Sequence, residues 1–264
     1  MNQYNIEKYS GKNINKFIDT PFIPGAPVTL AAMSDRYPKL SDAIRSYGIS
    51  VVPVTSYKCN TANPESSHAD MQILPVGGRK AALIKNNDKL NDVLLDFGFE
   101  RVFVEEIPES FAYPECTRLN FAILGRNIIG NFKHLNENNL ELFNRFNKIP
   151  VRQGYAKCST AIVTQNSVIT SDCSIHKACL QNGIDCLKIS EGHISLCSRY
   201  GGFIGGACFL IDSKTLAFTG NIKSHPDYIN IKSFCSNYGV SLLSLTNDAL
   251  CDVGGIVPLM QSDG

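Results

Sequence analysis

Residues 43–54 read AIRSYGISVVPV, and the phrase returns four more times: LLDFGFERVFV at 94–104, FNRFNKIPV at 143–151, CLQNGIDCLKI at 179–189 and FCSNYGVSLLSL at 234–245. Each version holds the end of an amphipathic helix, a stop at glycine or asparagine, and a short apolar strand. The stops, Gly48, Gly98, Asn147, Gly183 and Gly239, stand 50, 49, 36 and 56 residues apart. Recurrence at that period marks a repeat architecture, in which a unit cannot bury its own apolar face and its neighbours must. The helices keep an i, i+3, i+4, i+7 stripe at Leu90, Val93, Leu94 and Phe97, and again at Ile231, Phe234, Cys235 and Tyr238. Ile175, Ala178 and Cys179 begin a third, so Cys179 and Cys235 are read as core residues. Glycine just past the last helical residue is the expected left-handed stop.

More than one strand follows each stop. In the first unit VVPV is followed by MQILPV and AALI, and in the second RVFVEEI by NFAILG and NIIG. The third gives IPV, STAIVT and SVIT, and the fourth CLKI, GACFLI and TLAFTG. The fifth gives SLLSL and GGIVPL, so its missing strand is expected from APVTLAAMS (26–34), which has no helix before it. The expected fold is α/β: a closed pseudo-five-fold α/β propeller of ββαβ-type repeats, with no free sheet edge. A doubly wound sheet is the competing arrangement. It requires one strand per helix and a glycine-rich turn that opens a helix. Here there are about three strands per helix, and GGFIGG (201–206) precedes a strand. Residues 28–264 form one propeller domain in this reading, and residues 1–27, polar and rich in Asn and Lys, an N-terminal arm.

The bulk numbers exclude several classes. A formal charge of +1 over 264 residues argues against a broad nucleic-acid surface. No apolar run approaches a membrane span, and MNQYNIEKYSGKNINKF lacks a signal peptide's apolar centre. Ten cysteines without C-x-x-C spacing argue for a reducing cytoplasm and against a zinc ribbon. Cytoplasmic location is thus the expectation, with no cofactor, nucleic acid or membrane partner. Oligomeric state is not readable.

Aligning MQILPV, NFAILG, STAIVT, GACFLI and GGIVPL puts the residues just upstream of each at one end of the ring, near its axis. They are His68-Ala69-Asp70, Thr117-Arg118-Leu119, Lys157-Cys158, Gly201 to Gly205, and Asp248 through Asp252. One place thus collects a histidine, carboxylates and a thiol. Each residue also has a plainer role: His68 or Asp70 could cap a turn, Cys158 could be strand packing, and Asp252 could belong to a turn.

Five helix-containing β units around an axis, with H-x-D at 68–70 and GYAKCST at 154–160 leading strands, resemble the pentein family of guanidine-modifying enzymes. The resemblance spans about residues 28–260 and rests on architecture plus these two short motifs. It implies a cysteine nucleophile, a histidine acid–base and carboxylates that grip a small cationic substrate, with no metal. Family members carry the nucleophile in the last unit after a glycine pair. Here that unit reads CDVGGIVPL (251–259), with Pro258 near the expected cysteine. Either Cys251 is a displaced nucleophile, or the catalytic order is permuted and Cys158, two units after His68, takes the role. The second is preferred. Asp70 and Asp252 are then the leading substrate-binding carboxylates, and Asp248 and Glu191 the weaker ones. Glu191 in EGHISL has one following glycine where the family has two.

The expected chemistry splits the attack on an unreactive guanidinium carbon into two steps through a covalent intermediate. His68 moves the protons, and paired carboxylates hold the planar cation. A non-catalytic binding ring is the alternative. A metal site on His68, Asp70 and Cys158 is the least favoured option. His134, His176 and His225 are expected on surface loops or helix starts, and His193 beside a ligand loop at best.

Overall fold

The computed structural model describes residues 15–57, 63–85, 87–103, 112–135, 141–197 and 200–263. The chain runs from β1 (Asn15–Phe17) and β2 (Val28–Ser34) through α1 (Pro38–Ser46) to β3 (Ser50–Val54). A single turn of helix, α2 (Ala69–Gln72), leads into the hairpin β4 (Ile73–Gly77) and β5 (Lys80–Leu83), then α3 (Asp88–Asp96) and β6 (Glu100–Phe103). Next come β7 (Ala122–Leu124), β8 (Asn127–Gly130) and β9 (Asn147–Pro150). They are followed by β10 (Ala161–Thr164), β11 (Ser167–Thr170), α4 (Cys173–Gln181) and β12 (Asp185–Lys188). A small hairpin, β13 (Ser195–Cys197) and β14 (Tyr200–Gly201), precedes β15 (Cys208–Asp212) and β16 (Thr215–Phe218). The chain ends with α5 (Tyr228–Asn237), β17 (Ser241–Ser244) and β18 (Val257–Ser262).

Five sheets share one plan: an antiparallel pair, then a crossover to a parallel third strand. The sets are β4-β5-β6, β7-β8-β9, β10-β11-β12, β15-β16-β17 and β18-β2-β3, the last extended by β1. Thus β18 pairs antiparallel with β2, Val257 opposite Ala32, and β2 pairs parallel with β3. The missing partner does come from the N-terminal side, as expected. Leading strands of neighbouring sheets also touch: β18 against β4 and β15, and β10 against β7 and β15.

Unit boundaries differ from the sequence reading by one strand. VVPV pairs with β2, not with MQILPV, and ERVF (100–103) closes the sheet of MQILPV and AALI. A helix followed by a strand is local and legible, but which sheet accepts that strand is a long-range choice, and the crossover sends it backward.

The helices form for the expected reasons. Asn87 and Asp172 cap α3 and α4 by accepting from Leu90 N (3.2 Å) and from Ser174 N and Ile175 N (2.7 and 2.9 Å). Pro38 opens α1 where its missing N–H costs nothing. Leu90, Val93 and Leu94 bury the inner stripe of α3, and Cys179 and Cys235 are core. Gly48, Gly98, Gly183 and Gly239 take φ of +79°, +85°, +71° and +69°. Asn147 is a correction: it is not a left-handed stop but the first residue of β9. Of the third unit's helix, residues 136–140 lie outside the described residues, and 142–145 form turns.

Of residues 1–27, those from 15 on are described: β1 lies on β18, and Ile18 and Phe22 are buried. No described helix is long and apolar enough to cross a membrane.

Candidate active site

His68 stands between a 3-10 turn (Pro64–Ser67) and α2. The Asn63 side chain starts that turn by accepting from Glu65 N at 2.8 Å. Gln72 pins it from below, donating to Thr55 O and Ser66 O at 2.9 and 2.8 Å. Asp70 falls in the first turn of α2, and its N–H donates to Gly254 O at 3.0 Å. Cys158 lies just before β10, with its carbonyl accepting from Gly206 N at 3.0 Å.

These segments bring three predicted residues together. The Cys158 thiol donates to Asp70 Oδ2 at 2.9 Å. Donor atoms of His68, Asp70 and Cys158 all lie within 4.8 Å of one another. Asp252 is beside them, accepting from Phe203 N on Oδ2 and from Gly254 N on Oδ1, both at 2.9 Å. All four are at most 2% exposed. Glycines make that closeness possible. A Cβ on Gly254 (φ +78°) would lie 2.0 Å from the His68 ring, and one on Gly206 would lie 1.9 Å from Asp252 Oδ1.

Asn120 is a residue that sequence reasoning missed. Its Oδ1 accepts from the backbone N–H of Lys157 and Cys158 (2.8 and 3.1 Å), and its Nδ2 donates to Cys158 Sγ at 3.3 Å. It stands at the start of NFAILG, one residue beyond the Thr117-Arg118-Leu119 stretch that the strand alignment selected. Lys157, buried at 4% exposure, donates to Gly205 O at 2.9 Å and lies over the Phe22 ring. Glu65, half-buried, accepts from Tyr155 Oη at 2.9 Å. Arg36 donates to Ser56 and Ser66 hydroxyls at 2.9 and 3.2 Å, and its charge reaches His68.

The other candidates lie elsewhere. Asp248 and Cys251 line an open cavity of about 340 Å³ with Arg36 and Tyr37. Asp248 is exposed, and Cys251 donates to Asp252 O. Glu191 is exposed on the loop before β13. His225 corrects the expectation of a surface position. It is buried, its Nδ1 accepting from Asp227 N at 3.1 Å, with the His193 ring 5.4 Å away. His134 begins no helix but ends a 3-10 turn.

Burial dominates the electrostatics. It raises the Asp70 carboxyl from 3.8 to about 7, with Lys157 and the Cys158 hydrogen bond opposing and Asp252 and Glu65 adding to the rise. Asp252 rises likewise to about 6. Burial and Arg36 push His68 down to about 3, so its imidazole is neutral. Burial, then the charges of Asp70 and Asp252, push the Cys158 thiol well above its ordinary 9.0. The protein therefore holds a neutral thiol and a neutral imidazole against two carboxyls that titrate near neutrality. Within this cluster two buried polar atoms, His68 Nε2 and Asp70 Oδ1, have no hydrogen-bond partner among the described residues. An orphaned imidazole nitrogen and an orphaned carboxyl oxygen beside a thiol suit a ligand rich in N–H groups. The same three donors could reach one soft divalent ion, since imidazole, carboxylate and thiolate are all zinc ligands.

The fold is that of the pentein superfamily. Inosamine-phosphate amidinotransferase StrB1 from Streptomyces griseus superposes with a TM-score of 0.60 at 9% identity, covering 94% of this chain and 98% of that one. DDAH from Pseudomonas aeruginosa gives 0.55 at 10% identity, covering 90% and 99%. Agmatine deiminase of C. jejuni gives 0.53 at 10% identity, covering 90% and 92%. By sequence, the chain belongs to the family described as "Family of unknown function (DUF6873)", whose model matches residues 32–257. Among curated proteins, none matches this sequence.

Proposed function

We propose that the five sheets are the blades of one closed pseudo-five-fold ring, and that the protein is a cysteine-dependent hydrolase or amidinotransferase. Its substrate is a small guanidine or amidine cation, processed through a covalent thiouronium-type intermediate. The observation that carries this reading is the pair of orphaned atoms, His68 Nε2 and Asp70 Oδ1, flanking the Cys158 thiol. The structural neighbours, an amidinotransferase, a deiminase and DDAH among them, support the general class. The catalytic order is permuted relative to the family, with the nucleophile leading β10, not β18.

Asp70 and Asp252 hold the planar cation, and its positive charge offsets the carboxylate charge that keeps Cys158 protonated. The thiol proton passes to the His68 imidazole, sulfur bonds to the central carbon, and the carbon–nitrogen bond breaks as His68 returns the proton to the leaving amine. Water then gives one proton to His68 and its hydroxyl to the carbon, and the carbon–sulfur bond breaks as His68 passes that proton to sulfur, the hydroxyl proton leaving to solvent as the carbonyl forms. An acceptor amine in place of water makes the reaction a transfer. The alternative is a non-catalytic pentein-fold binding protein, in which the same carboxylates bind a cation and Cys158 only packs.

The test is site-resolved labelling with chloroacetamidine, which carries the cation, against neutral chloroacetamide, with adducts mapped by mass spectrometry. Cys158 is expected to react far faster with the cationic reagent, and His68→Ala to slow it. Adducts on Cys251 instead would move the nucleophile but keep the class. No discrimination at any cysteine would leave the binding-protein reading.

A further inference from the structure

Beyond the four buried residues, a second arc of side chains completes a circuit. Asp252 accepts from Phe203 N at 2.9 Å. The Phe203 ring stacks on Tyr155 with centroids 6.0 Å apart, and Tyr155 stacks on Tyr113 at 5.6 Å. The Tyr155 hydroxyl donates to Glu65 at 2.9 Å, and Glu65 lies in the turn that ends at His68. The exposed end of the stack is Tyr113, and the other end is the half-buried Phe203, whose backbone N–H meets Asp252, so the three rings lie between solvent and the segment that holds the carboxylate. Glu65 is close enough to add to the rise of both Asp70 and Asp252, and burial raises its own carboxyl.

We propose that Glu65, with the Tyr113–Tyr155–Phe203 stack, reads the substituent on the substrate's guanidine or amidine and selects a cationic tail over a neutral one, and a neutral tail over an anionic one. This rests on the reading of Cys158, Asp70 and Asp252 as the cation-processing centre. One guanidinium and Lys157 together balance two of the three carboxylates, and the third is Glu65, at the half-buried margin. A second positive charge there meets a carboxylate and the electron-rich faces of the rings. A carboxylate tail meets like charge in a partly desolvated place. Two cations at the site are already engaged: Lys157 with Gly205 O, and Arg36 with Ser56 and Ser66. The orphaned Asp70 Oδ1 and His68 Nε2 mark the end at which the guanidine itself docks.

The test measures how well three guanidines protect Cys158 from chloroacetamidine: the same short alkyl chain ending in ammonium, methyl or carboxylate. Protection is expected to follow that order, with roughly tenfold or more between the ends of the series, the worth of one charge-assisted hydrogen bond. Glu65→Gln should collapse the ammonium-to-carboxylate ratio, and Tyr155→Phe, which keeps the carboxylate and ring, should preserve its direction. Each ratio is read against that variant's own chloroacetamidine rate. Equal protection by ammonium and carboxylate tails, or a ratio unmoved by Glu65→Gln, overturns the proposal. If chloroacetamidine itself fails to prefer Cys158, the underlying functional reading fails instead.

Discussion

The fold holds Asp70 and Asp252 in a place that disfavours their charge, and proton linkage gives that burden a size. Burial first, then like charge, moves Asp70 from 3.8 to about 7 and Asp252 from 3.8 to about 6. Both shifts are upward, so between these limits the folded protein binds more protons than the unfolded chain, and stability falls as pH rises. Below pH 4 the penalty is absent, and above pH 7 it is complete. From pH 5 to pH 7 Asp70 is protonated when folded and ionised when unfolded, a loss of about 3 kcal/mol over the two units. Asp252 adds about 1 kcal/mol between pH 5 and 6. In Asp70→Asn the amide stays neutral throughout, so its stability relative to the parent should improve by about 3 kcal/mol between pH 5 and pH 8, whatever its offset at either pH. Urea unfolding followed by circular dichroism at both pH values measures this, with equal m-values required for comparison. The reasoning is refuted if parent and Asp70→Asn shift by the same amount between pH 5 and pH 8.

Three further outcomes follow from the packing. Gly254→Ala should cost roughly 3 kcal/mol or more, because its Cβ would overlap the His68 ring at positive φ; Gly48→Ala, at φ +79° with nothing within 4 Å, should cost only about 1–2 kcal/mol, and thermal denaturation compares them. Asn120→Ala should destabilise the protein by about 1–3 kcal/mol and change the rate of Cys158 labelling, since the Cys158 amide loses its Oδ1 acceptor and the Lys157 amide keeps only the longer bond to the residue 120 carbonyl; chemical denaturation and adduct mapping read the two effects. With a neutral alkylating reagent near pH 7, exposed Cys173 should be modified well before Cys158, whose thiol is buried and pushed upward; peptide mapping over time shows the order.

Much of the architecture was legible because its signals are local. Four of the five stops carry glycine, and each takes the left-handed conformation that only glycine adopts cheaply. Asn147 shares the position in the repeat but continues directly into β9, since a strand can begin at asparagine without a left-handed residue. Sheet membership was misread by one strand because pairing β3 with β2, and not with β4, is decided by burial across units. At the site, aligning the strand starts found His68, Asp70, Cys158 and Asp252, because the residues just ahead of the leading strands converge in one place. It also selected Asp248, only four residues before Asp252, which the turn leaves on the surface. Glu65 and Asn120 went unread for opposite reasons. Glu65 comes to the site through a 3-10 turn with no periodic signal, and Asn120 looked like the first residue of a strand.

The buried carboxylates link stability, reactivity and selectivity through one cause. Two acids held at 1% exposure add to the rise that burial gives the Cys158 thiol, and Asp252 raises Asp70, so the proposed nucleophile is quiet when only the protein's own charges surround it. A cation placed between them lowers all three at once, because opposite charge favours every ionised form. A neutral molecule of the same shape supplies no such charge and would leave Cys158 protonated however well it fitted. Under the proposed function, selectivity for cations therefore does not require a tightly shaped pocket. It follows from making the nucleophile's ionisation depend on the charge of what is bound, and the cost appears as the loss of folding stability near neutral pH.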